Sequence, residues 1–256
     1  MWKNNYIAFE TMVSKETRRF MRVWIQTLLP PAITTALYFL IFGHVMGNRI
    51  GAMQGINYVE YIAPGLIMMS VISNAYANTS SSFLQAKFFR SIEELLVSPM
   101  PNSLLLLGFI AGGVMRGLAV AVVVGIVALF FTALPVQHIF ITFITVLLSS
   151  VIFSLAGIIN AIYAKKFDDI SIIPTFILTP LTYLGGVFYS VHLLPGIWST
   201  VSLFNPILYF VELLRYGMLG VVDINIGLAL SVLVGMTVVL YVFAWILIVK
   251  GVGIKS

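Results

Sequence analysis

Long apolar runs alternate with short polar segments along this chain. A helix that crosses about 30 Å of hydrocarbon needs about 20 apolar residues. Six runs reach that length, and only the third contains a charged residue, Arg116. The pattern therefore predicts an all-α, polytopic membrane protein with six transmembrane helices. The predicted spans are 25–46, 61–82, 104–134, 139–164, 171–191 and 226–249.

Residues 1–24, before the first run, have an amphipathic pattern. Aromatic and aliphatic side chains recur at helical spacing beside several basic residues. Such a segment is typical of a helix that lies on a membrane surface. We therefore expect an N-terminal amphipathic interfacial helix on the cytoplasmic side. The apolar positions are Tyr6, Phe9, Val13, Phe20 and Trp24.

The segment 83–99, between the second and third spans, is also amphipathic. Its apolar residues, among them Ile92 and Leu95, fall on one helical face, and Arg90 and Glu94 fall on the other. Prolines at the end of the segment stop the helix. The pattern alone leaves two interpretations, a solvated interfacial connector and a helix that presents one face to a partner.

The segment 192–220, before the last span, is apolar but is interrupted by Asn205 and Pro206. Each half is too short to cross the hydrocarbon core, since 15 helical residues cover only about 22 Å. We therefore predict two half-helices that enter the outer leaflet and return. Glu212 and Arg215, three residues apart, favour a local ion pair over a substrate contact.

Polar residues inside the spans form two features. Ser70, Asn74 and Asn78 recur every four residues of the second span, so they either bridge to a neighbouring helix or line a substrate path. Arg116 in the third span must face protein, a cavity or the interface, because an intramembrane charge is costly. A ridge of small residues in the same span predicts close packing against another helix. The ridge comprises Gly108, Gly112, Gly113, Gly117, Ala121 and Gly125.

Composition and charge agree with a membrane location. The chain is 60% hydrophobic and 9% charged, against about 45–50% and about 25% in soluble domains. Its net charge of +5 lies in short patches, which favours contact with membrane lipid and no nucleic acid. Eleven Lys and Arg fall on one side of the six-span arrangement and two, Arg49 and Arg215, on the other. By the positive-inside rule, both termini are predicted to be cytoplasmic.

Motifs for catalysis and metal binding are missing from the sequence. The sequence has no phosphate loop, no zinc-binding His-Glu-x-x-His and no nucleophile elbow. It has no cysteine, and its three histidines fall in separate loops, so we predict no catalytic residue and no metal site. No acidic residue lies in any span, which disfavours ion coupling. The residues alone thus indicate a helical transport or scaffold protein.

Four motifs together resemble the membrane subunits of ABC type-2 transporters. One is the run Glu-Glu-Leu-Leu-Val-Ser-Pro at residues 93–99. Another is Asn205-Pro206 followed by Glu212, Arg215-Tyr216 and Gly220. The others are Asn-Ala-Tyr-Ala-Asn at 74–78 and the Pro- and Gly-containing run 174–189. The resemblance covers essentially the whole chain.

The resemblance implies a single transmembrane domain, residues 1–256, in the bacterial inner membrane. Two copies form a homodimer, and each copy docks on a separate cytoplasmic ATP-binding subunit that drives export. This chain would then bind no cofactor and would not be an enzyme, since ATP and Mg belong to the partner ATPase. Relatives export drugs, lipids and lipid-linked glycans, so no substrate is assigned. The alternative is a stand-alone channel or an ion-coupled carrier.

The resemblance also suggests roles for individual residues. The segment 83–99 would be the coupling helix, and the half-helices would close the outer end of the path. The candidate coupling residues are Arg90, Glu93, Glu94 and Leu95; the candidate path residues are Ser70, Asn74, Asn78 and Arg116; the outer motif comprises Asn205, Pro206, Glu212 and Arg215.

Overall fold

The computed structural model describes residues 2–46 and 51–253. Residues 1, 47–50 and 254–256 lie outside the described part of the chain. They include Arg49 and Lys255, two of the basic residues on which the predicted membrane orientation depends. The described chain is mostly helical. Its α-helices are α1 (Trp2–Arg22), α2 (Trp24–Tyr38), α3 (Tyr58–Phe88), α4 (Ser91–Val97), α5 (Asn102–Leu129), α6 (Ile139–Tyr163), α7 (Asp169–Ile173), α8 (Thr179–Tyr183), α9 (Ile197–Leu203), α10 (Pro206–Leu219) and α11 (Ile226–Lys250).

Shorter elements join some of these helices. A π-helical segment, Phe39–Met46, continues α2, and a second, Pro174–Leu178, joins α7 to α8. A single 3-10 turn, Val191–Leu193, precedes α9. A small hairpin of β1 (Ala52–Met53) and β2 (Ile56–Asn57) lies before α3.

The hairpin is an exception to the all-α prediction. Its turn residues Gln54 and Gly55 have φ angles of 52° and 78°. A two-residue hairpin turn whose twist matches that of the paired strands requires a positive φ at both of its central residues. Strands of two residues are too short to leave an alternating pattern in the sequence, so the hairpin could not be predicted.

Four helices of the described chain are long and apolar enough to cross a membrane: Trp24–Gly43, α5, α6 and α11. The pair α9 and α10, which bends by 80°, adds a fifth if it is one broken span. Helix α3 has 31 residues, but its serines and asparagines make it less apolar. The structure thus supports a membrane protein with four to five candidate spans, and the count of six stays a prediction.

Helix α3 lies at the centre of the molecule and packs along both α5 and α6. The close approach depends on small residues, as the glycine ridge predicted. A Cβ on Gly113 would lie 2.1 Å from Ser154 Oγ of α6, and a Cβ on Gly117 would lie 2.3 Å from Ser150 Oγ. A Cβ on Gly157 of α6 would lie 2.6 Å from the Tyr76 carbonyl oxygen of α3. These three helices therefore form a tightly packed central unit.

Helix α1 packs against the first half of α5. A Cβ on Gly108 would meet Met12 at 2.8 Å, and one on Gly112 would meet Glu16 at 2.6 Å. The buried face of α1 therefore includes Met12 and Glu16, whereas Tyr6, a residue of the predicted apolar face, is 68% exposed. The interfacial location of α1 stays a prediction.

The segment 83–99 does not form one helix. Residues 83–88 are the last turns of α3, where Phe83 and Leu84 are buried against the core. The chain then turns at Phe89 and Arg90, and Arg90 has a left-handed φ of 58°. Only the seven residues of α4 form the separate short helix. The predicted boundary at residue 83 was wrong because the apolar face of α3 continues past Ser82.

Candidate functional site

A cavity of about 330 Å³ lies between α2 and α3 and is bordered by α5. Three of the four candidate path residues, Ser70, Asn74 and Arg116, line it together. The remaining lining residues are Gln26, Thr27, Pro30, Pro31, Thr34, Thr35, Tyr38, Leu66, Met69, Ser73 and Ala77. The structure therefore brings most of the predicted path residues to one place.

Hydrogen bonds fix the polar side chains of this cavity. Arg116 Nη2 donates to Asn74 Oδ1 at 2.8 Å, and Asn74 Nδ2 donates to the Ser70 carbonyl at 3.0 Å. The Ser70 and Thr35 hydroxyls lie 3.4 Å apart, which links α3 to α2. Arg116 stands about 21 Å along α5 from its first residue, Asn102. Its guanidinium thus bonds α3 within the bundle instead of extending to the helix end.

Asn78, the fourth candidate path residue, has a different environment. It is fully buried, and both its Oδ1 and its backbone carbonyl accept hydrogen bonds from Arg19 Nη2 at 2.9 Å. Arg19 Nε in turn lies 3.3 Å from Glu16 Oε2, which also accepts the Ser82 hydroxyl at 2.6 Å. Asn78 therefore joins α3 to α1 and does not line the cavity.

Glu16 and the polar face of α2 are not among the predicted site residues. Glu16 is 1% exposed, yet in the sequence it stands among exposed charges of α1. Its burial depends on Gly112 and Ser82, which are distant along the chain. On α2, Thr27, Thr34 and Thr35 are spaced as one helical face, and that spacing could have indicated the second wall of the cavity.

The candidate coupling residues lie at and just before α4. Ile92 is buried and anchors the helix to the core, while Arg90 and Glu94 are exposed. Glu93 and Leu95 are half-buried. Two large aromatic side chains beside them are open to the surroundings, with Phe88 56% and Phe89 72% exposed. The segment thus presents a mixed charged and aromatic surface.

The turn after α6 is bound to the same end of α3. Lys87 Nζ donates to the carbonyls of Ile162 and Ala164 at 2.7 and 2.8 Å. Asp169 accepts backbone N–H bonds from Lys165 and Lys166 at 2.7 and 3.0 Å, and these bonds lower the pKa of its carboxyl. The ring centroids of Phe88 and Phe167 lie 5.0 Å apart. The segment that carries the candidate coupling residues and this turn therefore form one surface.

The outer motif holds α10 against the start of α3. Glu212 and Arg215 are fully buried and form the predicted ion pair, which is thereby confirmed. Arg215 also donates to the Gly186 carbonyl at 2.6 Å and lies 4.0 Å above the ring of Tyr61. Glu212 Oε2 accepts the backbone N–H of Asp223 at 2.7 Å. The pair is therefore structural, with every contact made to other parts of this chain.

Asn205 and Pro206 form the corner between α9 and α10. Pro206 is the first residue of α10. The backbone nitrogen at this position makes no hydrogen bond within the helix, so proline is tolerated there. Asn205 caps the helix, since its Oδ1 accepts the N–H of Ile207 at 3.0 Å. Its Nδ2 donates to the Leu181 carbonyl at 2.6 Å. One side chain thus sets the corner and ties it to α8.

Asp223, an acidic residue outside the predicted set, completes the contacts at the same end of the molecule as the outer motif. Its carboxylate accepts the Ser190 hydroxyl at 2.5 Å and the Val191 N–H at 3.2 Å, and it also bonds Gln54 of the hairpin. These contacts connect three loops that are far apart in sequence.

Comparison with known proteins identifies the family of this chain. The model of the ABC-2 type transporter family matches residues 7–219. Over 251 residues, 98% of each chain, the protein is 51% identical to the inner membrane transport permease YadH of Escherichia coli strain K12. It is 27% identical over 236 residues to nodulation protein J of Sinorhizobium fredii, covering 91% of this chain and 85% of that protein. The nodulation protein J of Rhizobium leguminosarum bv. viciae is 21% identical over 91% of this chain and 86% of its own length. The resemblance found in the motifs is confirmed, and the chain belongs to the ABC-2 type transporter family.

Proposed function

We propose that this chain is the membrane-spanning permease subunit of an ABC exporter in the bacterial inner membrane. Two copies form a homodimer, and two copies of a separate ATP-binding subunit dock on their cytoplasmic ends. The complex moves a substrate of the drug, lipid or lipid-linked glycan class outward. ATP and Mg are bound by the partner, and both termini of the permease are cytoplasmic.

The observation that supports this function best is the position of α3. Asn74 and Ser70 of α3 line the cavity, and the same helix ends two residues before α4, the candidate coupling helix. A helix of 31 residues is about 46 Å long and transmits a displacement of one end to the other. A force applied to α4 is therefore carried to the wall of the cavity.

The proposed mechanism is alternating access driven from the cytoplasm. ATP binding draws the two partner subunits together, and the coupling surfaces move with them. Helices α2 and α3 then change their packing, and the cavity between them opens toward the outside. Such coupling requires the ATPase to bind the two membrane states with different affinity.

Co-purification tests the proposal. The tagged permease is expressed with its neighbouring genes and purified in mild detergent. We expect an ATP-binding protein to co-purify in equal amount and to hydrolyse ATP. A permease that purifies alone, and that transports without ATP, would instead be a channel or an ion-coupled carrier.

Charge reversal at Glu94 tests the coupling surface. Glu94 is exposed on α4, so Glu94→Lys changes its charge without disturbing the core. We expect reduced stimulated ATP hydrolysis and reduced transport in a reconstituted complex. The matched control is Glu60→Lys, which makes the same charge change at the opposite end of α3. Equal activity of the Glu94→Lys complex and the parent would refute the role of Glu94.

A further inference from the structure

The cavity between α2 and α3 contains a positive charge that is not neutralised. Among the residues that the structure describes, Arg116 is the only charged one in the lining. Ion pairs among the side chains that the structure describes are Arg19–Glu16, His192–Asp223 and Arg215–Glu212, so none includes Arg116. A charge away from bulk water is costly unless an opposite charge or hydrogen bonds compensate it.

The hydrogen bonds of Arg116 are also incomplete. A guanidinium has five N–H donors, and its one hydrogen bond to a described residue joins Nη2 to Asn74 Oδ1. Its Nε is buried and has no partner among the described residues. Arg19, another arginine bonded to α3, already has the carboxylate of Glu16 and the oxygens of Asn78. Arg116 therefore retains both charge and donors for a ligand.

The lining is polar at one end and apolar at the other. Asn74 and Arg116 lie beside Thr27 and Gln26 near the beginning of α2. Leu66, eight residues before Asn74 and about 12 Å away along α3, lies at the other end. Tyr38 and Met69 lie with Leu66 at that end, and the hydroxyl-bearing residues Thr34, Thr35 and Ser70 lie between the two ends. The cavity thus matches a molecule with an ionic group at one end and an apolar chain at the other.

We infer that this cavity binds an anionic amphiphile, with a phosphate or carboxylate headgroup at Arg116 and its tail along Leu66 and Met69. A guanidinium donates paired hydrogen bonds to either oxyanion. The volume of about 330 Å³ accommodates a headgroup and the first part of a tail. The rest of the tail extends toward lipid, where Ile33 and Leu37 of α2 are about half exposed. This inference rests on the proposed function, because it names the substrate class of the same path.

The orientation of the cavity agrees with such a ligand. In the predicted topology the end of α3 at Lys87 faces the cytoplasm, so Asn74 and Arg116 lie closer to that side than Leu66. A lipid of the cytoplasmic leaflet has its headgroup and tail in the same order. An amphiphile from that leaflet can therefore enter between α2 and α3 without turning over.

Binding by the full-length permease in neutral detergent tests the inference. The probe is fluorescent phosphatidic acid, and the comparison is phosphatidylcholine with the same labelled chain. We expect the anionic probe to bind at least tenfold more tightly, and glycerol 3-phosphate, the headgroup without a tail, not to displace it. Equal binding of the two lipids would overturn the anionic specificity. Displacement by glycerol 3-phosphate at comparable concentration would show a site for a soluble anion and would overturn the amphiphile.

Variants of Arg116 locate the site. Arg116→Gln removes the charge and should weaken binding of phosphatidic acid about tenfold, the change expected for loss of a charge-assisted hydrogen bond. Arg116→Lys keeps the charge and should retain most of the affinity. Arg116→Gln should weaken binding of phosphatidylcholine less than that of phosphatidic acid, because the choline cation offsets the charge of the phosphate. Unchanged affinity of the Arg116→Gln variant for phosphatidic acid would contradict the assignment.

A second variant decides the question if Arg116 is required for folding. Gln26→Glu adds a carboxylate to the cavity at an exposed position of nearly the same shape, so it should weaken the anionic probe alone. Gln85→Glu is the matched control, because Gln85 is exposed on α3 outside the cavity lining. Equal effects of the two variants would show that the probe responds only to overall charge, and the inference would fail.

These binding measurements do not depend on the ATPase. A permease that prefers phosphatidic acid but recruits no ATP-binding subunit would refute the exporter and leave the site intact. A permease that recruits and stimulates the ATPase but binds both lipids equally would refute only the inferred ligand.

Discussion

Individual glycines set the distances between the central helices. A Cβ on Gly157 would lie 2.4 Å from Thr79 Oγ1 and 2.6 Å from the Tyr76 carbonyl oxygen. The second contact is to backbone, so the helices must separate to admit a methyl group. We expect Gly157→Ala to lower the free energy of unfolding by about 1–3 kcal/mol, as overpacked cores do. Unfolding in mixed detergent micelles measures this change.

Gly125 provides the matched control, because a Cβ built there has nothing within 4 Å. Alanine is favoured over glycine inside a helix by about 1 kcal/mol. Gly125→Ala should therefore leave the stability unchanged or raise it slightly. A similar loss of stability in both variants would mean that the close contacts at Gly157 are not the cause.

The buried pair of Glu212 and Arg215 gives a second prediction at this scale. Both side chains are at most 1% exposed, so removal of one leaves the other as an uncompensated charge. We expect Arg215→Met to lower the free energy of unfolding by about 3–5 kcal/mol. The double variant Glu212→Gln, Arg215→Met should recover part of that loss, because no charge is then left unpaired. A double variant less stable than Arg215→Met alone would contradict this explanation.

The sequence revealed these residues only in part. The spacing of Glu212 and Arg215 was enough to predict their ion pair, since partners three residues apart on a helix are neighbours. Glu16 was not predicted, because its partner Ser82 is 66 residues away. Asp223 was missed for the same reason, as its partners Gln54, Ser190 and Val191 belong to two other loops that are distant in sequence. Local pairs are visible in a sequence, whereas long-range polar contacts depend on the packing of whole helices.

Among the elements, α3 combines two functions on one polar stripe. The period of four correctly placed Ser70, Asn74 and Asn78 on neighbouring turns. The spacing could not show that α1 covers Asn78 alone. That contact depends on the close approach of α1 to α5, which the small size of Gly108 and Gly112 permits. The stripe therefore divides into a cavity wall and a helix contact, the two interpretations that the sequence left open.

This division predicts different outcomes for two matched substitutions on α3. Asn74 lines the cavity and is only half-buried, so Asn74→Leu should reduce transport and, through loss of its hydrogen bond to Arg116, lower the stability less than a change at Asn78 does. Asn78 Oδ1 accepts a hydrogen bond from Arg19 inside the protein, so Asn78→Leu should lower the free energy of unfolding by about 1–3 kcal/mol. Transport in vesicles and unfolding in micelles distinguish the two effects. Equal losses of stability would mean that both residues serve packing alone.

Helix boundaries were predictable where apolar runs end in charges or prolines. The last predicted span, 226–249, agrees with α11 within one residue at its C-terminal end and begins at the same residue. The fifth span, 171–191, does not correspond to one regular helix. Helical structure there runs through α7, a π-helical segment and α8, and ends at Tyr183 before Gly185 and Gly186. Proline and glycine inside an apolar run favour an interrupted helix, but the geometry of this interruption depends on contacts with Asn205 and Arg215.

At the scale of the whole molecule, two hydrophobic clusters lie along the bundle. The first surrounds the N-terminal half of α3 near Tyr61 and Leu66, and the second surrounds its C-terminal end near Phe83. Buried polar side chains, including Thr79 and Ser154, occupy the layer between them. A polar layer supplies fewer apolar contacts than the clusters on either side. The close helix approaches at Gly113 and Gly157, which meet Ser154 and Thr79, fall in this layer.

The membrane topology is the last prediction, and the absence of cysteine makes it directly measurable. Single cysteines are introduced at four exposed positions: Val97, Ala133, Phe167 and Leu193. The excess of Lys and Arg near Val97 and Phe167 predicts that these two positions face the cytoplasm. A membrane-impermeant maleimide applied to intact spheroplasts should therefore label Ala133→Cys and Leu193→Cys alone, and permeabilisation should expose all four.

The pair at Phe167 and Leu193 tests the segment on which the six-span count depends. The helical part of that segment, 169–183, has 15 residues and measures about 22 Å, less than the hydrocarbon core of about 30 Å. Crossing therefore requires the irregular residues up to Val191 as well, which is possible only where protein surrounds the backbone. Arg215 and Asn205 supply such contacts by bonding the carbonyls of Gly186 and Leu181. If Leu193→Cys is protected in the same way as Phe167→Cys, the segment does not cross and the topology of six spans is wrong.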